Sequence, residues 1–234
     1  MFGGFLFLHT FMLTFLQYLS EDMPVLDDEE DDSTHHQAHA NRLFDLGYHR
    51  LKTYELVSRK PKHIGSIGEY KVFHTKVEKT SSRSDVPGSV YHHFTVHHGE
   101  TPIGYVSFRQ MNDTSHSVGN REWESYLNAS DLPRFRREHS GRRSSVHALP
   151  AKVYAMAAKH LKLPIVSGEM QSRGGMNIWK NLAGMHGGVR AVHAHSGEEF
   201  QFNPHDPSHI KTAYDNRDLS GKMWSLIHEP TVGK

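Results

Sequence analysis

The chain has 234 residues, of which 36% are hydrophobic and 23% charged, a composition typical of a globular domain with appendages. It contains no cysteine, which excludes a disulfide framework, thiolate metal ligands and a cysteine nucleophile. The net charge of +1 hides an asymmetry: residues 1–40 hold eight acidic residues and no lysine or arginine, whereas residues 41–234 hold 27 basic and 18 acidic ones. The basic body therefore tolerates polyanionic partners, although an ordinary solvated surface has the same composition.

The first 32 residues predict an appendage that is separate from the folded body. Residues 1–19 are uncharged, but they include polar residues and a glycine pair and lack the basic start of a secretory signal, so no membrane anchor is expected. An apolar stripe from Met12 to Leu19 predicts a short helix that is marginal alone, and the acidic run Asp27–Asp32 predicts a flexible linker. The chain therefore divides into a leader with its linker, residues 1–32, and a single domain, residues 33–234.

The segment "MLTFLQYLSE", residues 12–21, resembles the capsid-targeting sequences of internal head proteins in large tailed bacteriophages. In that family a Leu/Ile-x-Glu site is cut by the prohead protease, and Leu19, Ser20 and Glu21 match it. The resemblance implies that residues 12–21 bind the phage capsid or prohead scaffold, that the leader is cleaved after Glu21, and that translation starts at Met12. It places the protein in the host cytoplasm and the virion interior. The alternative is a helix that packs on its own domain, in a chain that starts at Met1.

In the first half of the body, local patterns predict a helix followed by strands. A helix is expected from Thr34 to Leu46, with a stop at Gly47, and strands are expected at His49–Val57 and Gly68–Glu78. Residues 89–110 predict a β-hairpin with Gly99 in its turn. The segment 112–145 has no clear pattern.

In the second half, two helices alternate with strands. A helix is predicted over 149–162, with Pro150 in its first turn, and a strand buried on both faces over Leu163–Gly168. A second helix over 172–184 carries Trp179 on its apolar stripe and should end at Gly184. Strands over 188–202 and an apolar cluster around Trp224 complete the chain.

The 21 histidines invite a metal-binding interpretation, because pairs such as His92/His93 are frequent. However, no H-E-x-x-H motif is present, and neighbours in a strand point to opposite faces of the sheet. No specific metal site is therefore expected. The histidines would instead make the charge of the protein rise as the pH falls below about 6.5.

The order of elements predicts an α/β (α+β) fold in which a mixed, mostly antiparallel central sheet is flanked by helices. This order, with "VHHGETPIGYVSF", "VYAMAAKHLK", "LPIVSGE" and "GGMNIWKNLAG", resembles the GNAT acetyltransferase superfamily. The segment "IVSGEMQSRGGMNIWKNLA" also resembles acetyltransferase-like proteins encoded by tailed phages. The resemblance implies an acyl-CoA-dependent N-acyltransferase.

Acetyl-CoA binding in that family needs backbone N–H groups at a helix N-terminus, which cradle the pyrophosphate. The family supplies them with an Arg/Gln-x-x-Gly-x-Gly/Ala loop, whereas this chain has "HSGRRSSVHALPAK". The candidate coenzyme-binding residues are therefore Gly141, Arg142, Arg143, Ser144 and Ser145, with a glycine spacing that departs from the family's.

No catalytic residue can be assigned from the sequence. Many family members use a tyrosine of the late helix as an acid, but this chain offers Trp179, whose indole is not an acid at neutral pH. No carboxylate or histidine stands out as the general base by its spacing, although Glu169 lies at the end of the buried strand. A non-catalytic virion protein with a degenerate GNAT fold is therefore an alternative. A further alternative is a nucleic-acid-binding module that contacts DNA or another polyanion through Arg134, Arg136, Arg137, Arg142 and Arg143.

Overall fold

The computed structural model describes Asp45, Tyr48 and residues 60–78, 89–112, 124–129, 133–136, 148–168, 173–186, 188–194, 196–215, 217–218, 221–222 and 224–230. The leader with its linker and the strand expected at His49–Val57 lie outside these residues. Within the first predicted helix the structure describes one residue, Asp45, and it is helical. Tyr48, one residue beyond the stop predicted at Gly47, is also helical.

Within the described residues, ten strands form one sheet in the order β1-β2-β3-β4-β5-β7-β12-β8-β9, with β6 beside β4. Strands β10 and β11 form a separate hairpin. The β5–β7 pair is parallel and the other pairs are antiparallel. The structure is thus α+β with a mixed, mostly antiparallel sheet, as the sequence predicted. The strands are β1 (Lys62–Ile67), β2 (Tyr70–Glu78), β3 (Val90–His98), β4 (Thr101–Met111), β5 (Tyr126–Ala129), β6 (Arg134–Phe135), β7 (Ile165–Ser167), β8 (Val189–His193), β9 (Glu199–Gln201), β10 (Arg217–Asp218), β11 (Gly221–Lys222) and β12 (Trp224–His228).

Two tight turns organise the first four strands. Gly99 has φ +59° and connects β3 to β4, which confirms the predicted hairpin. Gly68 has φ +60° and connects β2 to β1, a strand that the sequence pattern did not reveal. Two-residue turns require such left-handed backbone angles, which glycine adopts without steric cost.

The helices are α1 (Leu149–Leu161), α2 (Arg173–His186) and α3 (Pro207–Asp215). The prediction of α1 is confirmed, with Pro150 in its first turn. The stop predicted at Gly184 is wrong, because α2 continues to His186. A helical glycine costs about 1 kcal/mol relative to alanine. Burial of the neighbouring Leu182 and packing of Met185 on the core offset this cost.

The main core lies between α1, α2 and one face of the sheet. Phe94 on β3 and Phe108 on β4 are fully buried there, and Phe108 meets Tyr154 of α1 edge to face, with ring centroids 4.9 Å apart. Tyr154 in turn contacts Trp179 of α2. These aromatic contacts fix both helices over the centre of the sheet.

The opposite face of the sheet is different in character. A small apolar cluster of Tyr126, Val166, Val192 and Ile227 covers its middle. Beside that cluster the strands β2 to β4 bury polar side chains, namely Thr75, His93, Thr95 and Ser107. Buried polar groups need hydrogen-bond partners, so this polar face is restricted in the conformations that its side chains can adopt.

Candidate functional site

The ladder between β5 and β7 is short. Three residue pairs form it, ending with Ala129 opposite Ser167, and Gly168 N–H donates to the Ala129 carbonyl at 3.3 Å. Beyond this point, in the part of the chain that the structure describes, β6 pairs with β4 and with no other strand. We call this interruption of the sheet, bounded by Ala129, Ser167 and β6, the seam.

Strands β5 and β6 behave as one interrupted strand beside β4. Asn128 lies opposite Arg109, whereas Arg134 lies opposite Tyr105, so the interrupted strand holds two residues more than β4 over this interval. The described pairs therefore change from β5, which lies between β4 and β7, to β6, which pairs with β4.

The N-terminus of α1 is expected toward the end of the sheet at which β5 and β7 have their C-terminal ends. Parallel strands β5 and β7 are connected through α1, and the helix of such a crossover runs back from the C-terminal ends of the strands. The first-turn amide groups of a helix have no partner within it and favour anions. Ala148 precedes the helix with φ +55° and provides no side-chain cap. The crossover thus directs the N-terminus of α1, which suits an anionic ligand, toward the same end of the sheet as the C-terminal ends of β5 and β7.

On the polar face, a serine and a histidine meet across strands β3 and β4. Ser107 Oγ and His93 Nδ1 are 2.7 Å apart, and both residues are at least nine-tenths buried. Asn128 on β5 lies on the same face, diagonally from Ser107 in the ladder, and its buried Oδ1 has no hydrogen-bond partner among the described residues. The structure therefore places two hydrogen-bonding groups and one unsatisfied acceptor beside the seam.

A second histidine network lies on the helix-covered face. His92 Nε2 lies 2.8 Å from Gln110 Oε1, and His92 Nδ1 lies 2.9 Å from His74 Nε2. Because the Gln110 oxygen only accepts, His92 carries its proton on Nε2 and accepts from His74 through Nδ1. Gln110 Nε2 then donates to Asn112 Oδ1 at 2.8 Å, which also accepts from Ser125 Oγ. The hydrogen bonds that link His74, His92 and Gln110 therefore both donate in the same direction, from β2 through β3 to β4.

Burial keeps this network neutral. It lowers the pKa of His74 to about 3, assisted by the neighbouring imidazoles of His92 and His160. Burial also lowers the pKa of His92, against a smaller raising effect of its hydrogen bond to Gln110. The pKa of His160, at the end of α1, is lowered by burial and by Lys62. Among the described residues no group of three potential ligands is arranged to hold a metal ion.

Trp179 lies in the core rather than at the seam. Its side chain is 2% exposed and packs edge to face against Tyr154, with centroids 6.1 Å apart. The indole therefore contributes packing, and α2 places no acidic group at the position that the resemblance assigns to a catalytic tyrosine. Glu169 lies outside the described residues.

Several predicted site residues lie outside the described chain. These are the coenzyme-loop candidates Gly141, Arg142, Arg143, Ser144 and Ser145, the processing residues Leu19, Ser20 and Glu21, and Arg137. Of the arginine cluster the structure describes Arg134 and Arg136, which are half-buried on and beside β6. Arg136 Nη2 donates to Asp45 Oδ1 at 2.7 Å, so a carboxylate compensates part of the charge that a polyanion would meet.

The sequence pattern did not reveal the pair His93–Ser107. The turn at Gly99 alone would place His93 opposite Val106, because His98 pairs with Thr101. An extra residue in β4 near Pro102 shifts the register by one and brings Ser107 opposite His93. Pro102 was a detectable signal, since proline cannot donate to a ladder and is found at bulges.

None of the helices in the described part of the chain combines the length and the apolar run needed to cross a membrane. The chain matches no protein-family model, no curated protein and no solved structure.

Proposed function

We propose that the chain is an acetyltransferase-like protein with a GNAT-like fold, which binds an acyl-CoA such as acetyl-CoA at the seam. The observation that carries the proposal is the position of the parallel pair β5–β7 within an antiparallel sheet. α1 connects β5 and β6 to β7, α2 connects β7 to β8, and β12 is inserted between β7 and β8. This succession resembles that of the GNAT superfamily, and it supports the resemblance that the sequence segments suggest.

The chemistry of the seam fits the two parts of a coenzyme A ester. The pyrophosphate is anionic and suits the N-terminal end of α1, where first-turn amides without partners inside the helix and the helix dipole attract negative charge. The pantetheine arm carries amides, which can pair with strand edges as an extra strand would. β6 has its described ladder on the β4 side, so its other edge faces the seam.

Calorimetric titration of the full chain with acetyl-CoA tests this proposal. We expect a saturable signal that weakens at least several-fold in the double variant Arg142→Ala, Arg143→Ala, because the resemblance assigns these two cations to the phosphates of the coenzyme. The matched control removes two exposed cations near the other end of α1, Lys62→Ala with Lys159→Ala, and should bind as the wild type does. A flat titration at millimolar acetyl-CoA would contradict the proposal.

A second candidate function is a non-catalytic virion protein that keeps the fold. The burial of Trp179 favours it, because the late helix then supplies packing and no acid for a departing thiolate. On this account, residues 12–21 bind the capsid or prohead scaffold of a tailed phage, and the mature protein lies in the virion interior. Mass spectrometry of purified particles should find a product that begins at Asp22. Particles that lack the protein would exclude this candidate.

A further inference from the structure

The buried pair Ser107–His93 is not needed to bind a coenzyme, and its geometry suits covalent chemistry. The oxygen and nitrogen atoms are 2.7 Å apart, on adjacent strands that hold them rigidly opposite each other. With the His93 proton on Nε2, Nδ1 accepts a hydrogen bond from the Ser107 hydroxyl. A serine hydroxyl that donates to a neutral imidazole is the arrangement by which a base activates an oxygen nucleophile.

The position of the pair brings it to the seam. Two residues before Ser107 on β4, Tyr105 pairs with β6, and two residues after it, Arg109 pairs with β5. Ser107 is therefore level with the interruption between β5 and β6. Asn128 is the diagonal neighbour of Ser107 on the same face, and its buried Oδ1 has no hydrogen-bond partner within the described residues. A buried acceptor without a partner is unfavourable until a bound N–H group satisfies it. A ligand with an amide, such as the pantetheine arm, would supply that group.

We propose that Ser107 is a nucleophile that accepts the acyl group from an acyl thioester, with His93 as its base. Ser107 Oγ bonds to the thioester carbonyl carbon while its proton passes to His93 Nδ1. The carbon–sulfur bond breaks, and the thiolate leaves as the free thiol after taking that proton. An acceptor N–H or O–H group then attacks the serine ester, and its proton returns through His93 to Ser107 Oγ. The identity of the acyl donor, an acyl-CoA, rests on the proposed function.

Ser89 provides an internal comparison. It is also a buried serine, but its Oγ accepts a hydrogen bond from Arg109 Nη2 at 3.2 Å. A guanidinium is permanently protonated and cannot take a proton from a hydroxyl. Ser89 is therefore a control with the same functional group, also buried, whose described partner is a guanidinium instead of an imidazole.

The test is intact-protein mass spectrometry of the full chain after incubation with acetyl-CoA and an acid quench, followed by peptide mapping. We expect one added acetyl group on the peptide that contains Ser107, in the wild type and in Ser89→Ala. Ser107→Ala should form no adduct, and Ser107→Cys should form a thioester. His93→Gln should acylate about a hundredfold more slowly, because the base is lost. Near-ultraviolet circular dichroism checks that each variant is folded.

The outcomes separate this inference from the proposed function. Acetyl-CoA binding in the calorimeter without an adduct overturns the nucleophile and leaves the coenzyme site standing. An adduct that persists in Ser107→Ala also overturns it. If acetyl-CoA does not bind, the proposed function fails. The nucleophile is then tested separately, with p-nitrophenyl acetate as the acyl donor. A burst of p-nitrophenolate that Ser107→Ala abolishes would then support the nucleophile, and the absence of a burst would overturn it.

Discussion

At the scale of single residues, Gly104 determines the path of the chain beside the seam. It lies opposite Phe135 in the β4–β6 ladder, and the phenyl ring of Phe135 occupies the space that a side chain would fill. The ring covers the backbone of the buried glycine, which keeps β6 against β4. Because β6 bounds the seam, a residue on β4 without a side chain helps to shape the candidate site.

Replacing this glycine should therefore destabilise the protein. In Gly104→Ala the new methyl group would overlap the Phe135 ring, and such overpacking typically costs about 1–3 kcal/mol. Gly184→Ala is the matched control, because nothing lies within 4 Å of the added Cβ and the helix gains up to about 1 kcal/mol. Urea denaturation measures both effects. A Gly104→Ala midpoint equal to that of the wild type would show that Phe135 does not pack on this glycine.

At the scale of elements, local sequence patterns predicted the helix and the hairpin whose formation depends on neighbouring residues. The hairpin at Gly99 and the helix α1 were recognisable, because a turn glycine and an apolar stripe act within a few residues. β5 and β6 were not, since the segment around Leu127 and Arg134 is polar and its strands exist through their pairing with β4. Tertiary context overrides propensity in such short strands.

The candidate site was harder to predict than the fold. His93 was visible as one of a pair of histidines, but its partner depends on the one-residue register shift in β4. A shift of one residue exchanges the two faces of a strand, so the turn alone gave the wrong neighbour. The order of the strands around β7 likewise results from long-range pairing that no local pattern contains.

The helix α2 should contribute to stability mainly through Trp179. Trp179→Ala removes a buried aromatic side chain that contacts Tyr154, and such substitutions typically cost about 3–5 kcal/mol. Asn177→Ala, an exposed position on the same helix, should change stability by less than about 0.5 kcal/mol. Thermal or urea unfolding compares the two. If Trp179→Ala lost acyl-CoA binding but kept wild-type stability, the core role assigned to this residue would be wrong.

At the scale of the whole molecule, the buried histidines make stability depend on pH. The pKa values of His74, His92, His97 and His160 are lowered from 6.5 in the folded state, mainly by burial. The unfolded chain therefore binds more protons than the folded chain below pH 6.5, and stability falls on acidification. For His74 the loss continues down to its pKa of about 3. A group of this kind contributes at most about 1.4 kcal/mol per pH unit, and less where solvent screens it.

Urea unfolding at pH 7, 6, 5 and 4 tests this pH dependence, because these values run from above the unfolded pKa of His74, 6.5, toward its folded pKa of about 3. We expect the free energy of unfolding to decrease steadily as the pH falls. His74→Phe should flatten the decrease, because it removes the titrating group while keeping an aromatic ring against Phe94. A profile that rises toward pH 4, or that is identical in the variant, would contradict the buried neutral network.

The central claim is that the seam between β6 and the C-terminal end of β7 binds an acyl-CoA, and amide hydrogen exchange of the full chain with and without acetyl-CoA tests it most directly. Binding at the seam should slow exchange in the peptides that cover 124–136 and 148–168, which hold both sides of the seam and the start of α1. The β1–β2 hairpin, over 62–78, lies across the sheet and should exchange unchanged. Unaltered exchange at the seam with saturating acetyl-CoA, or protection confined to other peptides, would contradict the claim.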